Sequence, residues 1–183
     1  MNDEELIAKY QDEGDSLVLD PLFSRHIDRV RAIVYPILLN DADADDVTQE
    51  VFRRVHKALA QFQRKSSFTT WLHRIALNAA HNHIRGRHWE RQVEWDAENP
   101  PQQGVSDNRP SDGLIAGETL DAVEKALRQL SPVLRAALVL TIMEGKEVHE
   151  AAKIQGCLVA TMYWRVHQAR KQMTRLLHEY KTR

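Results

Sequence analysis

The sequence is nearly without cysteine. Its one thiol, Cys157, cannot close an internal disulfide, and no CxxC or Cys/His finger spacing occurs. A reducing compartment is therefore expected. Long apolar runs are missing as well: stretches such as Ala136 to Leu140 fall far short of a membrane span. The first residues, MNDEELIAKY, are acidic and lack the basic and apolar layout of a signal or transit peptide. No Gly-rich phosphate loop, nucleophile elbow or HExxH is present. These absences lead to the expectation of a cytoplasmic protein with no catalytic residue, no metal site, no cofactor and no small-molecule substrate.

What the chain does have is segregated charge. Its 183 residues carry 25 Lys+Arg against 26 Asp+Glu, a formal net charge of -1. Residues 1–20 hold seven acids against Lys9, and residues 53–91 hold nine bases against Glu90. Residues 93–121 hold seven acids against Arg109, and residues 124–183 hold eleven bases and five acids. Two basic blocks separated by an acidic bridge suggest two surfaces that meet polyanion. Charge counts alone fit ordinary solvated helix faces better, so the motifs must decide.

Between His88 and Glu118 every period fails: Pro100, Pro101 and Pro110 alternate with Gly104, Gly113 and Gly117 amid polar residues. The segment reads as a flexible linker, too long for a connection inside one core. Helical periodicity dominates on both sides, so the predicted fold is all-α. It comprises two small helical domains joined by a flexible acidic linker, over residues 1–92, 93–117 and 118–183. The first should hold about four helices, among them one from near Pro21 to Pro36 and one opening at Asp41 to Asp46 with Asp43 as N-cap. A third carries Phe68, Trp71, Leu72, Ile75 and Ala79 on one face after a Ser66 or Ser67 cap. The second domain also reads as four helices. Ser131-Pro132 starts its second, Gly145 stops it, and Glu147 to Gln155 forms a short third that ends at Gly156. A long fourth covers Val159 to Tyr180. Short helix, glycine turn and long basic helix outline a helix-turn-helix.

On the last helix, Met162, Val166, Ala169, Met173, Leu176 and Leu177 make an apolar face. Tyr163, Trp164, His167, Gln168 and Lys171 lie on the other side. Gln can bond an adenine edge, Lys can meet guanine or phosphate, and aromatics can touch thymine methyls in a major groove. The rival reading buries Tyr163 and Trp164 against the other domain or a partner protein. In the first domain, Arg74, Asn78, His81, Asn82 and Arg85 oppose the Phe68 face; amides can read base edges while arginines hold phosphates. The run Asp41, Asp43, Asp45 and Asp46 fails as a calcium loop, since Asp46 and Phe52 stand where Gly and Glu are needed. Helix capping suits it better, and Asp46, Gln49 and Glu50 share an exposed face that could receive a basic partner helix.

DADADDVTQEVFRRVHKALAQF followed by SSFTTWLHRIALNAAHNHIRGR closely resembles the second conserved region of bacterial RNA polymerase sigma factors of the sigma-70 family, extracytoplasmic-function type. LRQLSPVLRAALVLTIMEGKEVHEAAKIQGCLVATMYWRVHQARKQM resembles their fourth region. The resemblance implies a dissociable specificity subunit that binds RNA polymerase core enzyme and promoter DNA, with an anti-sigma factor as a further partner. It implies that Asp46, Gln49, Glu50 and Arg53 dock on polymerase. Arg64, Lys65, Arg74, Asn78, Asn82 and Arg85 would then serve the minus-ten element, its non-template strand held as splayed bases. Tyr163, Trp164, His167, Gln168 and Lys171 would read the minus-thirty-five element as duplex. The chain departs from the family pattern at Tyr163-Trp164, at Gln168 and at Leu158, which fills the usual polar cap position, so borrowed promoter sequences do not transfer. The alternative is a stand-alone helix-turn-helix transcriptional regulator, which would bind a duplex operator tightly without core enzyme.

Overall fold

The computed structural model describes residues 1–95 and 114–181, and their side chains apart from residues 87–95, 114–119 and 181. Among the described residues there are eight α-helices and no strand. They are α1 (Asp3–Glu13), α2 (Asp20–Leu38), α3 (Asp41–Leu59), α4 (Phe68–Trp95), α5 (Leu114–Arg128), α6 (Pro132–Leu138), α7 (Val148–Gln155) and α8 (Val159–Lys181). A 3₁₀ turn precedes α2, and a π-helical turn, Val139–Met143, prolongs α6.

Local chemistry explains most of these boundaries. Asn2 and Glu5 form a reciprocal capping box on α1, a helix whose place the periodicity had not marked. Pro36 sits two residues from the end of α2, where the helix is about to stop in any case. The cap of α3 is Asn40, not the expected Asp43: the Asn40 side chain accepts from the Asp43 amide at 2.9 Å. Asp41 and Asp43 instead occupy the first turn, facing the positive end of the helix dipole. Ser67 caps α4 as expected, its hydroxyl accepting from the Thr70 amide at 3.2 Å. Gly145 and Gly156 both take positive φ, at 60° and 62°, which is how each stops its helix. The linker expected at 93–117 is trimmed at both ends, because α4 runs to Trp95 and α5 begins at Leu114. The rest of it, 96–113, lies outside the described residues.

Helices α2, α3 and α4 pack on one another around Val30, Ile33, Val51, Val55 and Leu72, with Leu6 and Ile7 of α1 buried beside them. In the second half, α5, α6 and α7 each pack on α8, and Leu130, Leu134, Leu138, Ala169 and Leu176 form a small core of their own. The halves also touch. Helix α2 packs on α6 and α4 on α7, and one buried cluster runs through both, taking in Ala136, Ala137, Leu140, Ala151 and Ile154.

Candidate nucleic-acid interface

Periodicity puts Val47, Val51, Val55 and Leu59 of α3 inside, which turns Asp46, Gln49 and Arg53 out to solvent and leaves Glu50 half-buried. The structure thus brings together the four residues expected to meet polymerase. Glu50 is not simply a free acid. It accepts from Arg54 Nε at 2.7 Å and pairs with Arg53 at 3.0 Å, and the Arg54 hydrogen bond holds its carboxyl below the usual value. Beside this face opens a shallow groove lined by Phe23, Ile27, Phe52 and His56, which the sequence reading missed. Its signal was Ile27, placed on the apolar side of its helix yet left exposed.

The loop before α4 is stapled by α1. Gln11 donates to the carbonyls of Leu59 and Phe62 at 3.1 and 3.0 Å, and its own carbonyl accepts from Arg64 at 3.2 Å. Arg64 is held at φ 54°, a left-handed conformation that a side chain rarely adopts, and Lys65 follows it, exposed. On α4, Arg74, Asn78, Asn82 and Arg85 are all exposed along one stripe, at i, i+4, i+8 and i+11. Arg85 donates to the Asn82 carbonyl, and Arg74 donates to the Lys153 carbonyl of α7 at 2.7 Å. Phe68 is buried and Trp71 half-buried, stacked near Phe62 with ring centroids 4.8 Å apart, so both serve packing.

The core-facing side of α4 carries His73, which the sequence reading passed over, and His81, expected on the exposed stripe with Arg74 and Asn78, is half-buried instead. His73 is 1 % exposed; neither ring nitrogen has a hydrogen-bond partner, and Nε2 lies 3.5 Å from Glu144. Burial, with Arg29 and Lys146 nearby, pushes it down to about 4, so it is neutral at pH 7. Burial also lowers His81, partly offset by a hydrogen bond to the Pro132 backbone. Among the described residues no group of His, Cys, Asp and Glu could hold a metal ion.

On α8, Met162, Val166, Ala169 and Leu176 are buried as expected, and Met173 and Leu177 half-buried. Tyr163, Trp164, His167 and Lys171 are exposed, and Gln168 is half-buried. Trp164 keeps 58 % exposure and Tyr163 61 %, so neither buries against the first half. Leu158 takes the cap position with 77 % of its surface in solvent. Its carbonyl accepts from Met162, and with an aliphatic side chain it can supply no cap of its own.

Residues 22–90 match the family model for sigma-70 region 2, and residues 120–173 that for sigma-70 region 4. The chain is 31% identical to the ECF RNA polymerase sigma-E factor of Escherichia coli K12, over 93% of this chain and 92% of that protein. It is 30% identical to the ECF RNA polymerase sigma factor SigM of Mycobacterium tuberculosis H37Rv, over 96% and 85% respectively. Among solved structures, it resembles the sigma factor RpoE in complex with the anti-sigma factor NepR from Bartonella quintana. That match has a TM-score of 0.69 and 26% identity over 86% of this chain and 95% of that one. It also resembles CnrH in complex with the cytosolic domain of CnrY, with a TM-score of 0.70 and 25% identity over 97% of both chains. The chain belongs to the extracytoplasmic-function sigma factors of the sigma-70 family, non-enzymatic subunits that bind RNA polymerase core and direct transcription initiation at promoters.

Proposed function

We propose that the two halves divide the work of initiation as the two matched regions suggest. Residues 1–92 bind core polymerase through Asp46, Gln49, Glu50 and Arg53. They take the minus-ten element through Arg64, Lys65, Arg74, Asn78, Asn82 and Arg85. Residues 118–183 take the minus-thirty-five element through Tyr163, Trp164, His167, Gln168 and Lys171, and the acidic stretch around 93–117 connects them. The observation that supports this best is the stripe of Arg74, Asn78, Asn82 and Arg85, all exposed on one side of α4 while the opposite side is core. Two amides flanked by cations there can hold phosphates and read unstacked bases at once. An anti-sigma factor is a further partner, because one of the similar structures is such a complex. Work with polymerase places the chain in the cytoplasm, in keeping with the lack, among the described residues, of any helix long and apolar enough to cross a membrane.

Reconstitution tests the whole reading. The purified chain should bind core enzyme and start transcription at a defined site, and should bind promoter duplex weakly alone. Tight operator binding without core would favour a stand-alone regulator instead.

A further inference from the structure

Helix α1 lies ahead of residues 22–90, the segment that matches region 2, yet it ties down a loop inside that segment. Its own support is firm. Leu6 and Ile7 are buried in the core, and Asp3 pairs with Arg25 at 3.1 Å and with His26 at 2.6 Å. Gln11 follows Ile7 by one helical turn, so the anchored face of α1 carries it to the loop 60–67 between α3 and α4. There one amide group makes three bonds. Its nitrogen donates to the carbonyls of Leu59 and Phe62 at 3.1 and 3.0 Å, and its oxygen accepts from Arg64 at 3.2 Å.

The loop has little else to hold it. Residues 63–67 are all exposed, and among the described residues no backbone-to-backbone hydrogen bond involves 63 to 66. Arg64 nevertheless stands at φ 54°, a conformation that persists only where its surroundings over-determine it. Gln11 supplies that constraint: two donors and an acceptor in a single plane fix the carbonyls and the guanidinium together. Glutamate would lack the donors, and lysine the acceptor. Phe62 gives the loop a second foothold, its ring centroid 4.8 Å from that of Trp71 on α4. The bond to Gln11 uses one donor of the Arg64 guanidinium and leaves the others for a phosphate.

We infer that Gln11 is a positioning residue for strand capture: by stapling the loop 60–67 it presets Arg64 and Lys65 to receive phosphates of the melted non-template strand. The inference rests on the minus-ten assignment given under Proposed function. Gln11 itself touches no DNA. An untied, exposed loop has to be ordered each time a single strand binds, and that entropy is taken from the affinity. A loop already ordered by α1 meets the strand without this loss.

The test uses holoenzyme assembled from core enzyme and the full chain. The probe is a single-stranded oligonucleotide carrying the minus-ten strand of a promoter selected with the wild-type holoenzyme. Gln11→Met keeps the side chain's volume and removes all three bonds. It should weaken strand binding about fivefold and lower the salt slope by as much as about 1.4, the single-strand value for two phosphates. Core binding should stay as in the wild-type chain, which also shows that the variant is folded. In an Arg64→Ala/Lys65→Ala background the same change should weaken binding no further, because the cations through which Gln11 acts are gone. An equal loss in both backgrounds, or no loss in the wild-type background, overturns the positioning role. A second readout judges the staple by itself. Trypsin cleaves after Arg64 and Lys65, and Gln11→Met should speed cleavage of the free chain there by on the order of fivefold. Unchanged cleavage at that loop overturns the staple. Failure of the minus-ten assignment looks different: Arg64→Ala/Lys65→Ala would itself leave strand affinity and salt slope unchanged while Gln11→Met still speeds cleavage, and the positioning role would fall with that assignment.

Discussion

Asn82 does not act alone, since Arg85 donates to its side-chain carbonyl and so orients the amide outward. The amide group is left to address a base, and the guanidinium keeps donors for phosphate. Asn82→Ala should therefore relax preference at one position of the minus-ten strand by about 1–3 kcal/mol, measured by competition among promoter variants with holoenzyme. Arg85→Ala should weaken every variant and lower the salt slope by about 0.7, the single-strand value per phosphate, and should also relax part of the same preference, because the Asn82 amide loses the donor that orients it. Equal effects of both changes on every sequence would remove the reading role of Asn82. On α8 the exposed Trp164 and half-buried Gln168 make a parallel case. Selection from randomised upstream elements should return different preferences for Trp164→Ala and Gln168→Ala than for the wild-type chain, with A·T pairs losing favour. Lys171→Ala should leave the preference as it is and lower affinity throughout.

At the scale of the helices, the α3 surface offers a separation of folding from function. Asp46 lies past the first turn of α3, and the capping bond belongs to Asn40. Reversing the charge of Asp46 and Glu50 together should abolish core binding in a pull-down while barely moving thermal unfolding. Asn40→Ala should do the opposite, costing about 1 kcal/mol of stability with core binding intact. The same helices show what a sequence discloses. Helices α6, α7 and α8 were legible to within a few residues because Ser131-Pro132, Gly145 and Gly156 punctuate them and a full apolar face runs along α8. Helix α1 was not placed, although Asn2 and Glu5 spell a capping box, because its acids read as charge rather than as a first turn. Asn40 was passed over for Asp43 because four aspartates crowd the next six positions, and composition does not say which one starts the helix. The exposed stripe of α4 was legible from spacing; the loop conformation at Arg64 and its tie to Gln11 were not, since they join residues 53 positions apart.

For the whole molecule, the contact between the halves was the part hidden from the sequence. Ala136, Ala137, Ala151 and Ala152 satisfy a helix anywhere, and Glu144 or Glu150 reads as surface charge until Arg29 and Thr70 are found opposite. His73 gives this contact a pH signature. Arg29 and His26 face it from α2, and Lys146, Glu144 and Glu150 face it from the second half. With the halves packed together, the closed form, burial holds it down to about 4, whereas an exposed histidine titrates near 6.5. Between those values the opened chain takes up a proton that the closed one refuses. The closed form therefore keeps its full margin above about pH 6.5 and loses it as the pH falls, by about 1.4 kcal/mol for each unit below that. Glu150 does not offset this loss, because its bond to Lys146 keeps it ionised to lower pH than usual. With one dye on each half, at Asp12→Cys and Thr174→Cys in a Cys157→Ser background, the distance read by energy transfer should thus lengthen on acidification from pH 7.5 to 5.5. His73→Gln, neutral at every pH, should remove most of the response, and His81→Gln a further share, since burial lowers that group as well. A wild-type distance constant across that range would mean that His73 is not buried by the second half in solution. An unchanged response in His73→Gln would assign the titration to another group.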